Sequence, residues 1–159
     1  SISDPKHFNP TLSGFLSLMK GIFSFVSPKC CKIILPLVLA PKAKIFLGTE
    51  LESCCFETKT GFYRDGFCNT DYNDHGKHII CAIMTDEFLE FSKKIGNNLT
   101  TPVPEYNFPG LKAGDKWCLC ILRWKEALES SVAPKVILES CHHKCLQYVS
   151  IKDLKMYSI

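Results

Sequence analysis

The sequence predicts a small α+β domain. It should have a short-stranded mixed or antiparallel sheet, about three helices, and an N-terminal amphipathic segment outside the domain. Three observations carry this. A chain of 159 residues has the length of one ordinary domain and can bury a core without covalent staples. Hydrophobic residues at 46% against 22% charged place it with globular rather than disordered chains. Beyond about residue 42, strand-like and helix-like runs alternate between polar turns, with no internal repeat.

The division near residues 41–43 rests on charge and style. Residues 1–42 hold five lysines (Lys6, Lys20, Lys29, Lys32, Lys42) and one acid, Asp4. That is +4 against +3 for the whole chain, so the rest sums to −1. We read 1–42 as an N-terminal extension and 43–159 as the α+β domain. Within the extension, Leu12, Phe15, Leu16, Met19, Phe23 and Val26 follow one helical face, with Ser13, Ser17, Lys20 and Ser24 opposite. Such a helix suits a targeting leader or a membrane-surface helix over residues 12–26, and equally a helix packed on its own domain. It has no arginine, which counts against a leader. IILPLVLA is far short of the roughly 20 apolar residues that span a bilayer. The expected location is therefore intracellular: cytoplasmic, or organellar (mitochondrion or plastid) if the extension is a leader. A net charge of +3, with two arginines among nineteen basic residues, supports no nucleic-acid groove.

Each element of the domain has its signal. Residues 44–47 (KIFL) and 61–64 (GFYR) read as short strands, and 78–84 (HIICAIM) as a stronger one. Thr85 caps a helix with Asp86 and Glu87 in its positive first turn and Lys93 and Lys94 in its last; Gly96-Asn97 closes it. Phe88, Leu89, Ser92 and Ile95 should face the core. Pro102, Pro104, Pro109 and Gly110 make a loop. After the Gly114-Asp115 turn, WCLCIL alternates, with Trp117, Leu119 and Ile121 on one face and Cys118 and Cys120 on the other. RWKEALES (123–130) is a helix burying Trp124, Ala127 and Leu128, and KVILE (135–139) is a strand. His142, Cys145, Leu146 and Val149 form a helical stripe, and Ser150 with Asp153 caps a short final helix.

The residues richest in chemistry lie between Arg64 and His78. Arg64-Asp65-Gly66-Phe67-Cys68, then Asp71, Asp74, His75 and His78, gather acid, base, thiol and cation within fifteen residues. A thiol near an arginine and a histidine can be an activated nucleophile. The plainer reading is a structural loop. There Arg64 pairs with Asp65 or Glu105, Asp71 and Asp74 make Asx turns, and His78 starts a strand. Trp124 reads as core, while Trp117 fits either core or the wall of a ligand pocket.

TGFYRDGFCNT, the run from GKHIICAIM through FPGLKAGDKWCLC, RWKEAL and APKVILES together resemble an uncharacterised, mainly bacterial family, domain of unknown function 2237, over about residues 47–156. The resemblance implies no assigned activity. The family pattern has a cysteine where this chain has Phe67, and a Thr-His pair where it has Cys141-His142.

Ten cysteines, at 30, 31, 54, 55, 68, 81, 118, 120, 141 and 145, include no CxxC pair, so no zinc-finger or ribbon spacing exists. A disulfide scaffold is not expected, because the size needs none and no clear signal peptide is visible. Cys118 and Cys120 sit ~7 Å apart on one strand face. With Cys68, and Cys54 or His78, they could ring a zinc ion. Cys141-His142-His143-Lys144-Cys145 could supply two thiolates at i, i+4 on one helical face, but its cysteines replace non-cysteine positions of the family pattern. The simpler expectation is that Cys81, Cys118 and Cys120 are small, reduced, buried hydrophobes.

Two function classes follow. One is a binding or accessory module for a small molecule or protein, using Arg64, Asp65, Glu105, Trp117 and Arg123. The other is a cysteine- or metal-dependent enzyme built on the RDGFC loop and the WCLC strand. Its catalytic candidates are Cys68, Asp65 and His78, and its metal candidates Cys54, Cys68, Cys118 and Cys120.

Overall fold

The computed structural model describes residues 48–159; the expected helix at 12–26 and strand at 44–47 lie outside them. Among the described residues the architecture is α+β. Strands β1 (His78–Ile83) and β2 (Lys116–Cys120) pair antiparallel, and three helices follow in chain order: α1 (Asp86–Lys94), α2 (Ile121–Glu129) and α3 (Ile151–Met156). The ladder aligns Ile80 with Leu119, Cys81 with Cys118, Ala82 with Trp117 and Ile83 with Lys116. His78 then pairs with Cys120, so Ile79 is one residue more than β2 can match. That is a β-bulge, which kinks the strand and re-aims its neighbours.

The helix signals act as their chemistry requires. Thr85 accepts a hydrogen bond from Phe88 N (3.1 Å) and caps α1. Ser92, the polar residue on its buried face, donates to Asn97 O (2.7 Å) and accepts from Asn97 Nδ2 (3.0 Å), so its hydroxyl is satisfied in the core. Ser150 accepts from Asp153 N (3.1 Å) and caps α3. Trp124 on α2 is fully buried and donates Nε1–H to Pro134 O (3.0 Å). Around it Ile79, Ile80, Met84, Phe88, Leu119, Ile121, Val136 and Leu154 form the core. Burying each large apolar side chain contributes about 1.5–3 kcal/mol.

Several expectations change. Residues 61–64 form a turn, not a strand: Arg64 N donates to Gly61 O (3.1 Å), and Gly61 and Arg64 both take positive φ. The alternating WCLCIL run ends two residues early, because Ile121 already begins α2 with Cys120 as its N-cap residue. Residues 135–137 do lie beside β1, with Ile83 N donating to Lys135 O (2.9 Å) and Ile137 N to Cys81 O (3.0 Å). Only Val136 makes bridges there, to Ala82 and Ser158, before a 3-10 turn at Leu138–Ser140. The stripe after His142 winds as a 3-10 helix, His143–Gln147, which buries Cys145 but leaves Leu146 exposed. Three residues per turn cannot keep an α-helical face together. Ile95 is also exposed, because α1 ends at Lys94.

Candidate active site

The loop over residues 48–77 has no regular strand or helix, and polar and covalent links to β1 and β2 hold it in place. Thr60 is fully buried and accepts a hydrogen bond from Cys118 N (2.7 Å). Two disulfides join the loop to the ladder, Cys54–Cys81 and Cys68–Cys118. This corrects the expectation of reduced cysteines: Cys118 is bonded to Cys68 and Cys81 to Cys54. The cause lies in tertiary register. Cys81 and Cys118 are opposite each other in the ladder, and the loop lays one cysteine over each. The spacing of the cysteines along the chain contains no trace of that register. All four are buried. Cys55 and Cys120 are free thiols with partial exposure, and Cys141 and Cys145 are free and buried.

Cys120 therefore parts company with Cys118. It ends β2, opens α2, and is the cross-strand partner of His78. Opposite residues of an antiparallel pair hold their Cβ atoms ~4.5–5.5 Å apart. His78 is in turn fixed by Asp74. That carboxylate is wholly buried and accepts from His78 N (2.8 Å) through Oδ2, while Oδ1 lies 2.7 Å from His78 Nδ1. Burial pushes the Asp74 carboxyl up, but the hydrogen bonds and charge of His78, with a bond from Thr70, outweigh it and leave the pKa below the ordinary carboxylate value. An ionised Asp74 can only accept, so Nδ1 carries the proton and Nε2 is the basic nitrogen of the neutral ring. The Phe62 ring stacks on the imidazole at 6.3 Å and 15°. Gly76 also packs close to the ring, since a Cβ there would come within 2.5 Å of His78 Cε1. Acid, imidazole and thiol thus follow one another from loop to β1 to β2.

The proposed binding residues divide. The Arg64 guanidinium lies 5.1 Å from the Trp117 ring centroid in a cation–π contact, on a backbone held at φ 58°. Residues kept in this sparsely populated region cluster at functional sites. Trp117 is buried against Phe108. Asp65 makes an Asx turn, Oδ1 accepting from Phe67 N (3.0 Å), and so shapes the loop. Glu105 sits exposed in the 3-10 turn Pro104–Tyr106, and no ion pair joins it to Arg64 among the described residues. Arg123 pairs with Glu126 (2.8 Å) and lines a groove of about 340 Å³ with Phe91 of α1 and Ile95 just past its end. Arg64 is not among the residues that line this groove.

Of the catalytic candidates, Cys68 is occupied in its disulfide and Asp65 is structural, while His78 stands at the centre of the site. Local sequence alone assigns Asp74 an Asx turn and Cys120 a core or metal-ligand place; the structure puts both beside His78. The four-residue step from Asp74 to His78 was the available signal. The sulfurs of Cys54, Cys68 and Cys118 lie within 4.8 Å of one another, bringing three of the four metal candidates together; Cys120 is not in that group.

Fold and site define a small, disulfide-stapled α+β domain bearing a thiol, an imidazole and a buried carboxylate on adjoining segments. The chain belongs to the family described as an uncharacterized protein conserved in bacteria (DUF2237), whose model matches residues 44–158. No curated protein matches it. No described helix is long and apolar enough to cross a membrane.

Proposed function

We propose that this domain is a cysteine-dependent enzyme with Cys120 as nucleophile, His78 as general base and Asp74 as the group that orients the imidazole. The observation that carries the reading is the buried Asp74 carboxylate, bonded to both the backbone and ring nitrogens of His78, whose ladder partner is a free, partly exposed thiol. Nε2 takes the thiol proton, Asp74 stabilises the resulting imidazolium, and the thiolate adds to an electrophilic carbonyl carbon, whose C=O π bond opens to an oxyanion that the imidazolium can protonate.

The binding residues enter as substrate recognition. Arg64 offers a planar fork for a carboxylate or phosphate. It is two residues from Phe62, which covers His78. The substrate class is a small electrophile carrying an anionic group.

Alkylation by iodoacetamide, read peptide by peptide, tests the proposal. Cys55 is the internal control, being another free, partly exposed thiol. Cys120 should react faster than Cys55, and His78→Ala should remove the difference. Equal rates, unchanged by His78→Ala, would overturn the enzyme reading and leave the Arg64–Trp117 surface as that of a binding module.

A further inference from the structure

The four disulfide cysteines form a buried cluster that the thiol site does not use. Their sulfurs come from three segments: Cys54 and Cys68 from the loop, Cys81 from β1 and Cys118 from β2. Cys54, Cys68 and Cys118 are mutually within 4.8 Å, and the Cys81 sulfur is bonded to that of Cys54. Cys81 also faces Cys118 across the ladder. Zinc bound by four thiolates at about 2.3 Å sets its sulfurs ~3.8 Å apart at the corners of a tetrahedron. Among Cys54, Cys68 and Cys118 the separations span that value; Cys81 stands outside the trio and is tied to it through its bond to Cys54.

We propose that the reduced form of this cluster is a metal site, in which Cys54, Cys68, Cys81 and Cys118 hold one zinc ion as a tetrathiolate. Two disulfides and one metal–thiolate centre are alternative states of the same four sulfurs. A dithiol supplies four electrons and four protons and opens both S–S bonds, itself becoming disulfide; a phosphine supplies the electrons while water gives the protons and leaves its oxygen as phosphine oxide. Zinc then binds the four sulfurs and displaces the four protons. In the reverse direction an oxidant such as peroxide removes four electrons, both disulfides reform and the metal leaves. Four soft, buried sulfurs favour zinc over oxygen-seeking magnesium or calcium. In either state the loop that carries Asp74 stays tied to β1 and β2.

The experiment uses the full chain, reduced with a phosphine under anaerobic conditions and titrated with cobalt(II). One cobalt should bind per chain, with the intense visible bands of a tetrahedral tetrathiolate, and zinc should bleach them. Cys81→Ser and Cys68→Ser should each weaken binding by about 100-fold or more. Cys120→Ser, Cys145→Ser and the double variant Cys30→Ser/Cys31→Ser should bind as the parent does. Absence of stoichiometric cobalt, binding that survives Cys81→Ser, or binding lost with Cys120→Ser would each overturn the proposal. X-ray absorption on the zinc-loaded parent decides independently of any variant's folding. Four sulfur neighbours support the site, and a mixed sulfur–nitrogen shell refutes it. The Cys120 reactivity assay stays separate, because Cys120 takes no part in the cluster.

Discussion

Asp74→Asn separates the geometry of the thiol site from its chemistry. The carboxylate accepts two bonds from His78, at 2.8 Å to the backbone nitrogen and 2.7 Å to Nδ1. Asparagine keeps one acceptor, which can serve the backbone N–H, but turns the other position into a donor. The imidazole then has to offer Nδ1 as acceptor and carry its proton on Nε2. The polar groups remain satisfied, so the stability cost should be about 1–2 kcal/mol. Asp74→Ala instead strands the buried partners and should cost about 3–5 kcal/mol. Chemistry should order the variants differently. With Nε2 protonated, His78 cannot accept the Cys120 proton, and alkylation of Cys120 should slow by at least about tenfold, worth ~1.4 kcal/mol. Denaturant melts give the stability, and peptide-resolved alkylation at neutral pH gives the reactivity. A folded Asp74→Asn protein whose Cys120 reacts at the parental rate would refute the proposed role of the pair. Acid titration adds a check of sign. The folded Asp74 pKa is depressed below the ordinary value of 3.8, so its contribution is complete above that pH and is lost as pH falls through the lower folded value. Asp74→Ala should lack that part of the acid transition.

Other consequences are as direct. Gly76→Ala places a methyl 2.5 Å from His78 Cε1, so it should cost about 1–3 kcal/mol in melts and slow Cys120 alkylation as well. His142 is almost fully buried, and its Nδ1 accepts from Lys144 N (3.2 Å); burial, then the charges of His143 and Lys144, push its pKa down to about 4. The unfolded chain, near 6.5, takes up the proton first, so stability should fall by up to about 3 kcal/mol as pH drops from about 6.5 to about 4. His142→Asn should flatten that slope in melts recorded across the interval. Trp124→Phe removes a buried donor and leaves Pro134 O unpaired, so about 2–3 kcal/mol should be lost from the unfolding free energy. Arg64→Lys should change stability by less than about 1 kcal/mol, since an exposed cation–π contact is worth little more, but should weaken recognition of an anionic substrate or analogue.

Local chemistry was legible in the sequence wherever one segment sufficed. Thr85 and Ser150 cap their helices, Trp124 and Phe88 are core, and the β1 and β2 runs are strands, because capping and periodicity involve residues close in the chain. The 61–64 run failed because Gly61 and Arg64 adopt positive φ, which overrides the β preference of Phe62 and Tyr63. The candidate site was half legible. His78 stood out by its composition, but its partner Cys120 lies 42 residues away, and the Cys54–Cys81 and Cys68–Cys118 pairs span separations of 27 and 50. Those pairings follow from ladder register and from the path of a loop without periodicity, and neither leaves a local pattern.

The extra residue at Ile79 has a consequence for insertions and deletions. In an unbulged ladder continuing from Ile80 opposite Leu119, the residue opposite Cys120 would be Ile79, an apolar side chain, and His78 would fall opposite Ile121. The meeting of imidazole and thiol thus depends on a frame offset of one, not on the identities of His78 and Cys120 alone. A relative or redesigned chain could keep both residues and every core position and still lose the pair by dropping one residue from this strand. Any comparison of such chains should therefore align the count between His78 and Cys81 before it aligns the motifs.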